Sequence, residues 1–518
     1  MTGKSILLSA AVFLGCVCCF AQEVPDSALQ RRFVMIGSEH PYDLNPYTAN
    51  YSSEAQVLCG LYEGLYSYDP QSLDPVPALA VDYKISRDKK RWTFTIREGA
   101  KFSNGEPITA YSVRDSWLTL LATDGAPYAS LLDSVSGAEA FRLGRSKSDA
   151  VGIIARDAKT LVVNLVSPTA HLQRILCHHA FAIASGKERV FSGAFVLKSY
   201  ENGTLVLEKN PHYWDAEHVY LPEIVIESNN DLKENAWKFN TGKADWVSGM
   251  VETSAVLNKS AIRIAAEYGT EYLFFSCKNE PWNDADFRNA LIAAVPWTEL
   301  RKNSLVRATT LVFPLAENYH VDGLDDTSPE DAKYLMDLAR KKVGMSAIQK
   351  IPLVFGINGS ERMKREVEIL KAAWEPLGVE LKIQTTPEDR YLLSIPGWNA
   401  DLFTYSWIGD FADPLAFLEL FREGSTLNQS KWHNSEYTRL LKEAAESNTT
   451  ADHNRLLSEA EKILLDDGMI LPISHSVCLH VINPQTVGGW YTNALDIHPL
   501  KYLFFREEPS GVSNIVMK

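Results

Sequence analysis

The residues that invite a chemical reading lie between Leu402 and Leu420, where an extended run, Thr404, Tyr405, Ser406 and Trp407, breaks at Gly409 and Asp410 and restarts as a helix. Asp410 is a carboxylate at a strand tip between Trp407 and Phe411, where apolar walls would strengthen any charge pairing it makes. Two readings fit it: a solvated turn aspartate, or a group that pairs with a charge. Asp413 reads differently. An aspartate followed by Pro414 and an apolar helical run is the pattern of an N-cap and first helical position, so Asp413 is expected to be structural. His178 and His179 could ligate a metal, but adjacent histidines rarely converge without further partners, which favours a structural role and no metal. No Gly-x-Ser-x-Gly elbow, His-Glu-x-x-His helix or Gly-x-Gly-x-x-Gly loop occurs, so a catalytic reading has little support and no cofactor is expected. Gly3, Lys4 and Ser5 imitate the end of a phosphate loop without its upstream glycine.

A chain of 518 residues exceeds what one hydrophobic core usually organises, so two or three domains are expected. Lysine and arginine total 51 against 65 aspartates and glutamates, a net charge of -14 that opposes binding to nucleic acid or anionic lipid. Lys4 followed by an apolar run from Ile6 to Phe20 reads as an export signal over residues 1–21, too short for a comfortable membrane span. Cleavage after Ala21 and acylation of Cys16, which follows Leu14 and Gly15, both fit. No later stretch is apolar and long enough to span a bilayer, so a chain free in solution or tethered by its N-terminus is expected. Cys59, Cys177, Cys277 and Cys478 lie far apart with no Cys-x-x-Cys pair, which excludes common zinc and thioredoxin-like patterns. Two disulfides would be possible, and buried free thiols are the favoured alternative.

The elements that would position these groups follow from periodicity. Trp92, Phe94 and Ile96 alternate as a half-buried strand, followed by a turn at Asn104 and Gly105. Thr109 is placed to cap a helix carrying Val113, Trp117, Leu120 and Leu121. Leu161, Val163 and Leu165 alternate again, and Asn202 with Gly203 marks a hairpin. From about Glu271 strands and helices alternate. Leu353, Phe355 and Ile357, then a helix from Arg362 to Leu377, then Val379, Leu381 and Ile383 imply a right-handed parallel crossover. Helices capped near Ser435 and Asp452 precede closing strands at Ile470–His475 and Tyr502–Phe505. Antiparallel beginnings, an α/β body and closing strands place the two chain ends in one lobe, with the second lobe inserted between crossings near Ala265 and Ser474. A cleft between two lobes is a favoured ligand site.

Several segments together resemble the bacterial extracellular solute-binding proteins that deliver oligopeptides, dipeptides or nickel to ABC importers (family 5). The most specific runs from Trp92 to Pro107 and ends in Phe102, Ser103, Asn104, Gly105, Glu106 and Pro107. Leu61 to Leu65, Lys209 to Trp214, Phe287 to Leu291 and Leu377 to Val379 also match. The resemblance implies an α/β, two-lobed periplasmic-binding-protein fold (type II, large cluster C form) with an extra subdomain and a ligand cleft at the hinge. The expected division is lobe I over 22–60, 163–264 and 475–518, an extra subdomain over 61–162, and lobe II over 265–474. Trp407 to Pro414 is most similar to the oligopeptide-binding branch, whose aspartate at the position of Asp410 pairs with a peptide α-ammonium. Ser38, Glu39 and Pro127 to Ser130 stand where that branch places cleft residues. The implied substrate-binding set is Asp410, Trp407, Ser406, Tyr405, Thr404, Phe411, Glu39, Ser38 and Tyr128.

The implied function is peptide transport: a periplasmic or extracytoplasmic monomer, tethered through a lipidated Cys16 or secreted free, that captures short peptides for the membrane permease subunits of an ABC importer. The peptide would add as a strand beside Thr404 to Trp407 and the loop after Ile36. The alternatives are a nickel chelate or oligosaccharide as ligand and, from another class, a secreted hydrolase or peptide sensor. Thr404 replaces the branch's carboxylate-binding arginine and Met363 replaces a histidine, so the handling of the ligand C-terminus departs from the branch. The disulfide of some members, with a partner near Ile408, is expected to be absent.

Overall fold

The computed structural model describes residues 31–169, 171–314, 318–387, 390–447 and 449–506. The expected signal and Cys16 lie outside the described residues. Among them, no helix is long and apolar enough to cross a membrane.

The first strand, β1 (Phe33–Gly37), belongs to a sheet of eleven strands. A separate four-stranded antiparallel sheet follows, built from β2 (Ala80–Ile85), β3 (Arg91–Ile96), β4 (Ile153–Ala155) and β5 (Thr160–Asn164), in the order β2-β3-β5-β4. Trp92, Phe94 and Ile96 face the core as their alternation requires. In β5, Val162 is buried along with Leu161 and Val163, so the expected one-sided alternation gives way to a strand covered on both faces. Thr109 caps the helix Ala110–Ala122 by accepting from Ser112 N–H.

The large sheet continues through β6 (Phe195–Glu201), β7 (Thr204–Lys209), β8 (Glu223–Ser228), β9 (Trp246–Ser248), β10 (Ile262–Phe275), β11 (Ile351–Ile357), β12 (Val379–Thr385), β13 (Leu402–Ile408) and β14 (Ile470–Ile482). Its order is β12-β11-β13-β10-β14-β9-β1-β8-β7-β6, with the short strand Val306–Arg307 alongside β14. The β6–β7 hairpin turns at Asn202 and Gly203, both at positive φ, which an Asn-Gly pair adopts at low cost. Strands β11 and β12 are parallel across the helix Glu361–Trp374, whose Val367, Leu370 and Trp374 are buried.

Two long strands join the halves of this sheet. β10 and β14 pair over Ile262–Ala266 against Val481–Val477, slip register, and pair again over Thr270–Phe274 against His475–Ile470. The first stretch abuts β9 and the second abuts β13. The expected strand at Ile470–His475 is therefore the first part of a longer element, and the expected Tyr502–Phe505 strand shortens to Phe504–Phe505.

One apolar cluster runs from the small sheet through Tyr128, Trp407 and Phe411 into the β10–β13 half, and a second lies under β1 and β6–β8. All four cysteines among the described residues are free thiols.

Candidate functional site

Asp410 follows strand β13 by two residues, and Gly409 makes that approach possible. A Cβ at Gly409 would come within 2.8 Å of Tyr268 Cδ1, so only glycine lets the chain turn against the Tyr268 ring. Gly409 N–H donates to Tyr268 O at 2.8 Å, which ties the turn to β10. On the other side, Tyr68 Oη–H donates to the main-chain carbonyl of Asp410 at 3.1 Å. The Asp410 side chain then points into the apolar seam between Trp407 and the Tyr128–His178 pair, and it is 7% exposed.

This carboxyl is poorly satisfied. Oδ2 is buried with no hydrogen-bond partner, and the nearest ionisable nitrogen, His178 Nε2, lies 3.5 Å from Oδ1. His178 cannot act as a counter-cation: burial, and then the neighbouring His179, hold its imidazole neutral well below the usual range. Its Nδ1 accepts from Ala180 N–H at 3.3 Å, so the remaining proton sits on Nε2, facing Asp410. Burial alone pushes the Asp410 carboxyl well above the ordinary aspartate range.

Aromatic rings build the walls. Tyr405 and Trp407 stack at 6.2 Å, Tyr128 lies 6.3 Å from Trp407, and Tyr128 packs on His178 at 4.3 Å. Burial and the nearby Asp410 charge push the Tyr405 phenol up to about 12. Trp407 Nε1–H donates to Ala416 O at 3.0 Å, so its indole is fixed by the helix that follows. Phe411 instead stacks on His171 at 5.8 Å, away from Asp410. Ser38 and Glu39 line a cavity of about 950 Å³ with Asn50, Tyr51 and Asp496. Asn50 joins that cavity to the Asp410 group, because its Oδ1 accepts from Tyr128 Oη–H at 3.4 Å.

Ser406 is exposed, whereas the Thr404 side chain is buried. Of the run from Thr404 to Trp407 expected to lie beside a ligand strand, only alternate residues turn their main chain outward. Gly409 bonds to β10, so by the alternation of an antiparallel ladder Tyr405 and Trp407 also bond inward, and only Thr404, Ser406 and Ile408 present main-chain groups to the outer edge. Thr404 N–H already donates to Tyr391 Oη at 3.0 Å.

Asp413 keeps the structural role expected of it, with a shift of one position. The helix begins at Leu415 with Pro414 as N-cap, and Asp413 Oδ1 accepts from Leu415 N–H at 2.9 Å. His453 Nε2 lies 3.0 Å from Oδ2, a partner the sequence alone did not reveal. Sequence reasoning also missed His178 as a neighbour of Asp410, having weighed it only as a metal ligand or a core residue; no spacing rule connects it to a residue so distant in the chain. Among the described residues, one group has metal-ligand proximity: Cys478, His480 and Asp496. There Trp246 Nε1–H donates to His480 Nδ1 at 3.1 Å, which leaves the proton on Nε2, pointing at Asp496 Oδ1 2.7 Å away. That tautomer suits a hydrogen bond and not metal ligation.

A second contact joins the same regions. Thr426 Oγ1–H donates to Pro127 O at 2.5 Å, and Arg422 pairs with Asp133 at 3.2 Å, so the loop carrying Tyr128 is held against the segment after Asp410.

Comparison with known proteins places this geometry. The chain is 27% identical over 465 residues to the oligopeptide-binding protein OppA of Bacillus subtilis, covering 84% of this chain and 85% of that one. The structure of the murein tripeptide-binding protein MppA of Escherichia coli superposes with a TM-score of 0.81 at 25% identity, over 92% of this chain and 99% of that one. Haemophilus influenzae OppA, in complex with the peptide RPPGFSPFR, superposes with a TM-score of 0.80 at 21% identity, over 93% and 100%. These likenesses show a two-lobed α/β solute-binding fold. The family described as bacterial extracellular solute-binding proteins, family 5, matches residues 74–429, and the chain belongs to it.

Proposed function

We propose that this protein is the extracytoplasmic receptor of an ABC importer and that it captures short peptides by their α-ammonium and main chain. The observation that carries the reading is Asp410, a buried carboxyl with an unpartnered oxygen and only a neutral imidazole beside it. A peptide ammonium supplies the missing cation. A charge-assisted hydrogen bond of this kind contributes about 1.5–3 kcal/mol, and apolar walls that exclude water strengthen it. The exposed edge of β13 at Ser406 supplies main-chain pairing, while Ser38 and Glu39 face the ligand from the loop after β1. The names of three relatives, peptide-binding proteins of Bacillus subtilis and Escherichia coli, support the same ligand class.

In this reading the described residues within 22–60, 163–264 and 475–518 form lobe I, those within 61–162 its extra subdomain and those within 265–474 lobe II. The register slip between Ala266 and Thr270 on β10 serves as the hinge. Capture closes Tyr128 and His178 over the ammonium and releases the proton that burial holds on Asp410.

The test is calorimetry of a free-amino tripeptide and its N-acetyl form in buffers of different ionisation enthalpy. The free-amino peptide binds tightly and releases protons; the acetylated peptide binds at least tenfold more weakly. Affinity for the free-amino peptide rises with pH until Asp410 ionises unaided, then falls as the peptide amine loses its proton near about pH 8. Equal affinity for both peptides removes Asp410 from the role. Mass spectrometry of co-purifying ligand separates peptides from a nickel chelate or oligosaccharide.

A further inference from the structure

Strand β13 uses its two edges unequally. Toward β10 it pairs along its whole length, Leu402 to Ile408 against Phe275 to Gly269. Toward β11 it pairs only at Leu402 and Phe403. The outward main-chain groups beyond that point belong to Thr404, Ser406 and Ile408. Tyr391, 4% exposed, occupies the first of these: its Oη accepts from Thr404 N–H at 3.0 Å, and its proton lies within reach of both Gly356 O at 2.8 Å and Thr404 O at 3.0 Å. One hydroxyl thus stands where a longer partner strand would continue. Among the described residues no hydrogen bond occupies the outward N–H groups of Ser406 or Ile408.

A ligand anchored at Asp410 and extending toward Thr404 runs antiparallel to β13. Its first residue lies beside Ile408, its third beside Ser406, about 7 Å further on, and its fifth would meet Thr404 and Tyr391. At the level of Ser406 a cavity of about 380 Å³ opens, lined by Ser406, Ile408, Glu271, Arg362, Arg365 and Glu366. Arg362 is paired with Glu271, whereas Arg365 is exposed and makes no ion pair among those found in the described residues. Two carboxyls on this cavity are shifted upward, and of the two Glu267 is the one left mostly protonated near neutral pH. Burial, and then the Asp496 and Glu271 charges, push Glu267 up to about 8, and burial pushes Glu366, one of whose oxygens is unpartnered, up to about 6. Arg362 is held by Glu271 and Glu366, which leaves Arg365 as the arginine on this cavity without an ion pair among the described residues.

We propose that this site selects peptides of three or four residues, with Tyr391 ending the pairing edge and Arg365 receiving the C-terminal carboxylate. The proposal rests on the peptide-binding reading above and goes beyond it, since nothing in that reading limits length. It also separates this chain from the Haemophilus influenzae relative, whose structure holds the nine-residue peptide RPPGFSPFR.

Calorimetry with alanine peptides of two to six residues, on protein stripped of co-purifying ligand and refolded at full length, decides it. Affinity is expected to peak at three or four residues and to fall at least tenfold at five and six. Amidating the C-terminus of trialanine is expected to cost about tenfold, and Arg365→Gln to abolish that difference. Tyr391→Phe is expected to recover the longer peptides; the wild-type length series decides the matter even if this variant folds poorly. Five- and six-residue peptides binding within twofold of trialanine overturn the length selection. A trialanine affinity indifferent to amidation overturns the role of Arg365. No binding at any length, by these or by a mixed tripeptide library, overturns the peptide reading itself, an outcome distinct from equal binding at all lengths.

Discussion

Asp410 and Asp413 stand on one bend between strand and helix, and the protein treats them in opposite ways. Both carboxyls are pushed toward the protonated form by burial. At Asp413 the hydrogen bond and charge of His453, then the charge of His171 and the N–H of Leu415, outweigh burial and hold the group below the usual aspartate range. At Asp410 nothing outweighs it. Asp496 repeats the first pattern: burial raises it, but hydrogen bonds from His480 and His498 bring it down to about 2. A carboxylate whose partners are supplied by its own chain is architecture. One left without them in an otherwise well-satisfied interior is a place for a ligand.

The sharpest way to break this contrast is to neutralise both aspartates and measure binding. Asp410→Asn is expected to weaken a free-amino tripeptide by about 1.5–3 kcal/mol, roughly 10- to 150-fold in Kd, with no further loss on N-acetylation. Asp413→Ala is expected to leave Kd within twofold. If the two variants weaken binding equally, the distinction between them fails.

Thermal or urea unfolding should reverse the ranking. Asp413→Ala removes the N–H acceptor at Leu415 and the partner of His453, and is expected to cost about 1–2 kcal/mol of stability. The pH profile follows from the signs. Asp413, depressed in the folded protein, contributes stability above its unfolded value near about 3.9 that is lost as pH falls through its folded value. For His453, burial lowers the pKa, but the bond and charge of Asp413 outweigh this and raise it. Its contribution is complete below about 6.5 and is lost as pH rises through the folded value. The difference between wild type and Asp413→Ala is therefore widest between about pH 4 and 6.5, and a difference that is flat with pH would show that the pair carries no charge.

How far this contrast was legible in the sequence depends on the range of the interactions. Local signals held: the alternation of Trp92, Phe94 and Ile96, the Thr109 cap, the Asn202–Gly203 hairpin and the crossover around the helix Glu361–Trp374 are all set by neighbours in the chain. The helix expected to be capped near Asp452 is capped by Thr449, within the few-residue latitude of such boundaries. Asp410 and Asp413 could be told apart because Pro414 marks a helix start. What stayed hidden was long-range: His453 beside Asp413, His178 beside Asp410, and Tyr391 closing the edge at Thr404 each depend on how the sheet order brings distant segments together. The adjacent histidines were visible and read as structural rather than metal-binding, and only the tautomer fixed by Ala180 N–H shows what His178 offers.

The smallest expected effect is the most discriminating, because it has the opposite sign. A carboxyl whose folded pKa is raised contributes stability that is complete below its unfolded value near about 3.9 and is lost as pH rises through the folded value. At neutral pH Asp410 therefore either keeps its proton at a cost or ionises in an apolar seam at a greater one. Asparagine preserves the shape and removes the choice, so in the absence of ligand Asp410→Asn is expected to raise the melting temperature at pH 8 by about 1–3 °C and to converge on wild type near pH 4. The same substitution that weakens binding then strengthens the fold, while Asp413→Ala weakens the fold and leaves binding nearly unchanged. A loss of stability in Asp410→Asn at pH 8 would mean that the folded protein itself satisfies the Asp410 carboxylate, and the ammonium site would have to be sought elsewhere in the cleft.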